Sequence, residues 1–202
     1  MKTYTIVPKT ENLDWSAVPE AAIDCCQWGY WADISAKAQV CYDADALYVR
    51  LTAREEHIRA EETTPAGLPC LDSCLEFFFC PTEGNNTYFN IEMNPNCVIY
   101  WGIGTNSRDL IRLLPETPEI EAESLRTDDG WSVTYRVPVT LIQRFFPEFT
   151  IYPGKKMRGN FFKCGDETVK PHYFTWNPIE NDILDFHQTQ WFGELIFEGC
   201  KG

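Results

Sequence analysis

The chain has 202 residues, of which 44% are apolar and seven are Trp, enough to bury a core without disulfide or metal staples. Thirty Asp and Glu stand against 17 Lys and Arg, a net charge of −13. Such a surface repels phosphate backbones and anionic lipid, which argues against nucleic acid and membrane partners and for a neutral ligand or a cation.

In chain order, WSAVPEAAI (15–23) predicts a helical turn. AKAQVCYDADALYVRLTAREE (36–56) alternates on both sides of DAD and predicts a hairpin. CLEFFFCPTEGNNTYFNIEMNPNCVIYWG (74–102) predicts three strands broken at TEGNN and NPN. IEAESLRTDDGWSVTYRVP (120–138) predicts a second hairpin turning at DDG. VTLIQRFFP (139–147) has the length of a short helix stopped by Pro147. KKMRGNFFKCG (155–165), HYFTW (172–176) and WFGELIFE (191–198) supply the last strands. Short strands with a turn signal every eight to twelve residues predict an all-β fold, an antiparallel β-sandwich or distorted jelly roll with one or two short helices. No linker, repeat or Gly-rich phosphate loop interrupts it, so residues 1–202 are expected to form one domain.

Nine cysteines are an odd number, and several sit inside apolar runs. No CxxC pair or Cys/His ligand spacing occurs, which predicts reduced thiols and no structural zinc. MKTYTIVPKTENLDW contains no apolar segment of signal-peptide length. With free thiols, that predicts a cytoplasmic location.

LDSCLEFFF (71–79) is the stretch richest in conflict. At period two, Leu75, Phe77 and Phe79 face the core, while Asp72, Cys74, Glu76 and Phe78 share the other face. Asp72 and Glu76 lie about 13 Å apart along a strand, too far for a pair of acids acting on one glycosidic bond. Glu92, on the following strand, is the closer partner for Glu76. Paired acids on adjacent strands suit either a glycoside hydrolase or a polar binding face. No nucleophile motif accompanies the three histidines. The segment 172–198 places Trp176 and Trp191 at the ends of a loop carrying Asp185, Phe186 and His187. An aromatic beside an Asp and a His is suited to stacking on a sugar ring and bonding its hydroxyls, or to plugging the sandwich.

Six segments in order, CYDADALYVRLTARE, DSCLEFFFCP, YFNIEMNPN, NFFKCGD, DFH and FGELIFE, resemble the family 9-like carbohydrate-binding proteins from about Trp15 to Glu198. The resemblance implies a non-catalytic β-sandwich that binds a neutral oligosaccharide or chain end, with structural calcium in some members and association with a glycan-degrading enzyme. It implies that Glu76 and Asn90 are hydroxyl-binding positions. A family arginine falls on Tyr88, and two sugar-sandwiching tryptophans fall near Pro69 and Phe186. The ligand-binding set expected is Glu76, Tyr88, Asn90, Glu92, Trp176, Phe186 and His187, in a shallow groove. For calcium, the oxygens of YDADAL (42–47) and TEGNN (82–86) are the candidates. The sandwich also resembles haem-binding electron-transfer domains, whose axial ligands would be drawn from Met93, Met157, His172 and His187. A structural or interaction module without a sugar site is the remaining alternative.

Overall fold

The computed structural model describes residues 1–29, 31, 33–114 and 119–199. Thirteen strands follow one another among them: β1 (Thr3–Pro8), β2 (Ala21–Ile23), β3 (Ser35–Tyr42), β4 (Ala46–Arg54), β5 (Cys74–Cys80), β6 (Tyr88–Met93), β7 (Ile99–Gly104), β8 (Ile111–Arg112), β9 (Glu121–Thr127), β10 (Gly130–Pro138), β11 (Lys156–Gly165), β12 (His172–Thr175) and β13 (Gly193–Phe197). One short helix, α1 (Val139–Gln143), and 3-10 turns at Trp15–Ala17, Pro69–Leu71 and Thr189–Trp191 complete the described elements.

The hairpins form where alternation and turn chemistry agree. In β3–β4 the Asp43 carboxylate accepts from the N–H groups of Asp45 and Ala46 at 2.9 and 3.0 Å, closing the turn by a side-chain bond. That fixes the register of Tyr42 against Leu47, and every later pair follows from it.

The strands run in the order β8-β7-β6-β5-β11-β13-β1-β3-β4-β10-β9, with β12 beside β11 and β2 beside β3. β1 is the corner. Its first four residues pair with Glu194–Phe197 of β13, and Val7 and Pro8 pair with Cys41 and Tyr42 of β3, parallel in both cases. One strand therefore passes from one layer of the sandwich to the other. The expected all-antiparallel pairing fails at β1 alone among the described pairings, since a strand inserted between two existing edges takes its direction from the chain path rather than from a hairpin turn.

Alternation along β5 sends Leu75, Phe77 and Phe79 into the core between the layers. Phe77 stacks on Phe79 at 4.8 Å and on Phe161 at 4.7 Å. Val49, Leu51, Trp131 and Val133 close the core from the opposite layer, each such burial contributing about 1.5–3 kcal/mol. The turn expected over 15–23 is shorter than its sequence suggested. Asp14 caps Trp15–Ala17, and Ala21–Ile23 then extends as β2 with Ala21 and Ile23 buried. No helix among the described residues is long and apolar enough to cross a membrane.

Candidate functional site

The other face of the β5 layer carries a second buried cluster. Cys74, Phe78 and Cys80 point into it from β5, Tyr88 from β6, and Phe162 and Cys164 from β11. Register sets their neighbours: Glu76 lies opposite Glu92 on one side and Phe162 on the other, Phe78 opposite Asn90 and Asn160, and Cys74 opposite Cys164. Glu76 faces away from the main core, as alternation predicts, but it is buried rather than open. The cover is the segment between β12 and β13. Phe186 lies flat on Phe162 at 4.3 Å and tilts against Trp28 at 5.9 Å. His187 stacks on Phe78 at 5.1 Å and shares a 2.6 Å hydrogen bond with the Tyr88 hydroxyl.

This cover corrects several expected roles. Phe186 is 8% exposed and plugs the cluster, so its ring faces are already occupied. Tyr88 is fully buried with its hydroxyl bonded to His187, and His187 is bonded and stacked in turn. Trp176 points the opposite way, into the main core, edge-on to Phe161 at 5.5 Å and Tyr4 at 6.3 Å. Asp72 lies outside β5, at the end of the Pro69–Leu71 turn. Its carboxylate accepts from the N–H groups of Glu61 and Glu62 and from Asn94 Nδ2 at 2.9–3.0 Å, and it pairs with Arg59 at 3.3 Å. That bonding pins the preceding loop.

Glu76, Asn90 and Glu92 do come together. Asn90 Nδ2 donates to Glu92 at 2.8 Å, and the Cys164 thiol donates to Glu76 at 2.9 Å. Asn90 Oδ1 is buried with no hydrogen-bond donor among the described residues. Burial raises the Glu92 carboxyl to about 7, against the pull of the Asn90 bond and the Arg112 charge. Burial and the neighbouring Glu92 hold Glu76 well above the carboxylate range, and burial keeps His187 below its usual value. The rim consists of residues the sequence reading did not single out. Half-buried Tyr100 stands opposite Glu92 with the Arg112 guanidinium over its ring at 4.4 Å. Half-buried Tyr173 stands opposite Cys164. Counting the register outward from the NPN turn, which sets Met93 against Ile99, would have put Tyr100 beside Glu92.

The profile of carbohydrate-binding family 9 matches residues 8–197. The chain belongs to carbohydrate-binding family 9. Among solved structures it resembles a candidate carbohydrate-binding protein from Bacteroides uniformis, with 22% identity, 98% of this chain and 99% of that one covered, and a TM-score of 0.81. It also resembles a family 9 module from Caldicellulosiruptor kristjanssonii, solved with cellotriose and with glucose, at 13% identity and a TM-score of 0.71 in both cases. Those matches cover 99% of this chain and 95% or 97% of the module. At these identities they establish the fold, a β-sandwich. A comparison with curated protein sequences found no match.

Elsewhere this family 9 chain differs from what its resemblances implied. The calcium candidates do not form a cage. The Asp43 carboxylate takes two N–H groups, the Tyr48 hydroxyl at 2.7 Å and the Lys9 ammonium at 3.5 Å. In the second turn Asn85 Oδ1 accepts from Thr87 N–H, and Asn86 Oδ1 from Arg158. The haem candidates offer no axial pair. Met93 and Met157 are in the main core, His187 is on the opposite face, and both His172 nitrogens are engaged, Nε2 by Lys163 and Nδ1 by the Lys170 carbonyl. Buried Lys163 also pairs with Glu55 at 3.1 Å, and Glu55 accepts from Trp131 and Ser73. A cavity of about 930 Å³ lies between β7, β9 and β10, lined largely by aromatic and aliphatic side chains such as Trp101, Leu113, Ile120 and Tyr135. It contains none of the outer-face acceptors, though Asn96, Glu119, Glu121, Glu123, Thr134 and Arg136 stand among its lining residues.

Proposed function

We propose that this chain acts as one non-catalytic carbohydrate-binding domain, and that its ligand, a neutral oligosaccharide or chain end, is held over the Glu76–Glu92 pair. Glu76, Asn90 and Glu92 accept sugar hydroxyls, while Tyr100 and Tyr173 offer ring faces at the rim. The observation that carries this reading is the Asn90 side chain. Its amide nitrogen bonds to Glu92, while its carbonyl oxygen faces no donor among the described residues. A buried unmet acceptor costs roughly 1–3 kcal/mol, and a ligand rich in hydroxyl donors relieves that cost. The acceptors occupy register-matched positions on two adjacent strands, a rigid base for a ring with vicinal hydroxyls. The non-catalytic part of the reading is supported by the family, one of carbohydrate-binding modules. A binder without chemistry fits work alongside a separate glycan-degrading enzyme.

Calorimetry against glucose, cellotriose and a panel of neutral oligosaccharides tests the reading, with Asn90→Ala, Glu76→Gln and Glu92→Gln as variants. Binding without turnover is expected, weakened about tenfold or more by each change and strengthening as pH rises through about 7, where Glu92 becomes a carboxylate. Unchanged affinity in all three variants would place the site elsewhere, and no binding across the panel would reject the reading.

A further inference from the structure

Three cysteine thiols gather at one end of the outer face, and the sugar reading uses none of them. Cys74 and Cys164 are direct cross-strand partners on β5 and β11. One ligand atom each from Cys74, Cys164 and Glu76 lies within 4.8 Å of the other two, and all three residues are buried. A tetrahedral ion bound at about 2.3 Å to sulfur and about 2.1 Å to oxygen sets its ligands roughly 3.5–3.8 Å apart, so the trio needs only small rotamer adjustments to close on one.

A fourth donor is stapled beside them. The N–H groups of Asp166 and Glu167, after β11, donate to the carbonyls of Cys70 and Leu71 at 2.9 and 3.1 Å. This holds the turn carrying half-buried Cys70 against the end of β11. Cys70 packs against the cluster that holds Cys74 and Cys164. The other described cysteines, Cys25, Cys26, Cys41, Cys80 and Cys97, are free thiols outside this trio.

We propose that Cys74, Cys164 and Glu76, completed by Cys70, form a binding site for a soft divalent cation of the zinc class. Two or three sulfurs and one carboxylate suit Zn²⁺ and Cd²⁺ and disfavour Ca²⁺ and Mg²⁺, which take oxygen ligands. Each thiol that ligates, and the protonated Glu76 carboxyl, loses its proton to solvent as its bond to the metal forms, and no electron is transferred. Binding therefore releases about three to four protons and tightens as pH rises. The ion would also neutralise the Glu76 carboxylate, whose ionised form is costly where it is buried. The spacing of these cysteines matches no zinc signature, because the donors meet through strand pairing rather than within one loop.

The test is titration of the reduced protein with Co²⁺ under anaerobic conditions, followed by displacement with Zn²⁺. Expected is one equivalent bound, with sulfur-to-cobalt charge-transfer absorption in the near ultraviolet and tetrahedral bands in the visible. Cys74→Ser and Cys164→Ser should each weaken binding at least tenfold, and the double variant should lose the charge-transfer band. Glu76→Gln keeps every thiol, so it should retain that band with affinity lowered about tenfold. Cys97→Ser, on a separate turn, should match the parent. X-ray absorption of the zinc form should find two or three sulfurs near 2.3 Å. If the cysteine variants fail to fold, the Glu76→Gln titration and the sulfur count decide alone. Absence of the charge-transfer band in the parent, its survival in a folded double variant, or a shell of oxygen and nitrogen only would overturn the proposal.

Discussion

Glu92→Gln isolates the cost of burying an acid beside another acid. The Glu92 carboxyl stands at about 7 in the fold against an ordinary 4.5, chiefly because it is buried. At about 1.4 kcal/mol per tenfold change in proton affinity, that difference corresponds to about 3 kcal/mol. Because the folded value is the higher one, the folded state binds the proton more tightly. The contribution is whole below about pH 4.5 and is lost as pH rises through about 7. Gln keeps the acceptor for Asn90 Nδ2 and cannot ionise. His172 works in the opposite sense. Burial and the Lys163 ammonium hold it at about 4 against 6.5, so its contribution falls away as pH drops below 6.5. Comparing variant with parent at each pH removes that background. Urea denaturation of both proteins at pH 5 and pH 8, without sugar, is the assay. The variant is expected to be more stable by about 1 kcal/mol at pH 5 and by about 3 kcal/mol at pH 8. An equal difference at both values, or a less stable variant at pH 8, would show that Glu92 is not penalised by its burial and would refute the reasoning.

Phe186→Ala should destabilise the fold by about 3 kcal/mol, because the ring lies flat on Phe162 in a buried cluster. Unchanged stability in urea would mean that the segment between β12 and β13 is not anchored there. Lys163→Met should cost about 3–5 kcal/mol, since it leaves the buried Glu55 carboxylate with only the Trp131 and Ser73 donors. The pair Lys163→Met, Glu55→Gln should recover most of that loss, and a thermal melt of the double variant no better than the single one would contradict the charge argument.

Much of this protein is local in origin. Period-two alternation in CLEFFFC, YFNIEM and KMRGNFFKCG assigns each side chain to a face, and turn residues such as Asp43 set the hairpin registers, so strands, core and the pairing of Glu76 with Glu92 are readable along the chain. The six ordered segments likewise carry the family. What covers the outer face is not local. Phe186 and His187 reach it from the segment between β12 and β13 and Trp28 from the one between β2 and β3, paths that depend on how distant strands dock, so their sequences cannot distinguish a ring that grips a sugar from one that plugs a cluster. Trp176 shares its side with Phe174 two residues earlier, as alternation along HYFTW gives, but only the packing shows that this side is the main core. β1 was invisible for a related reason, because its parallel partners lie far along the chain and no turn announces them. Cys74 and Cys164 stand ninety positions apart, and only antiparallel pairing of β5 with β11 puts their sulfurs side by side. Alternation acts within a strand and turns act between neighbours, whereas these contacts depend on which distant strands become adjacent, a choice made by the packing of the whole sandwich.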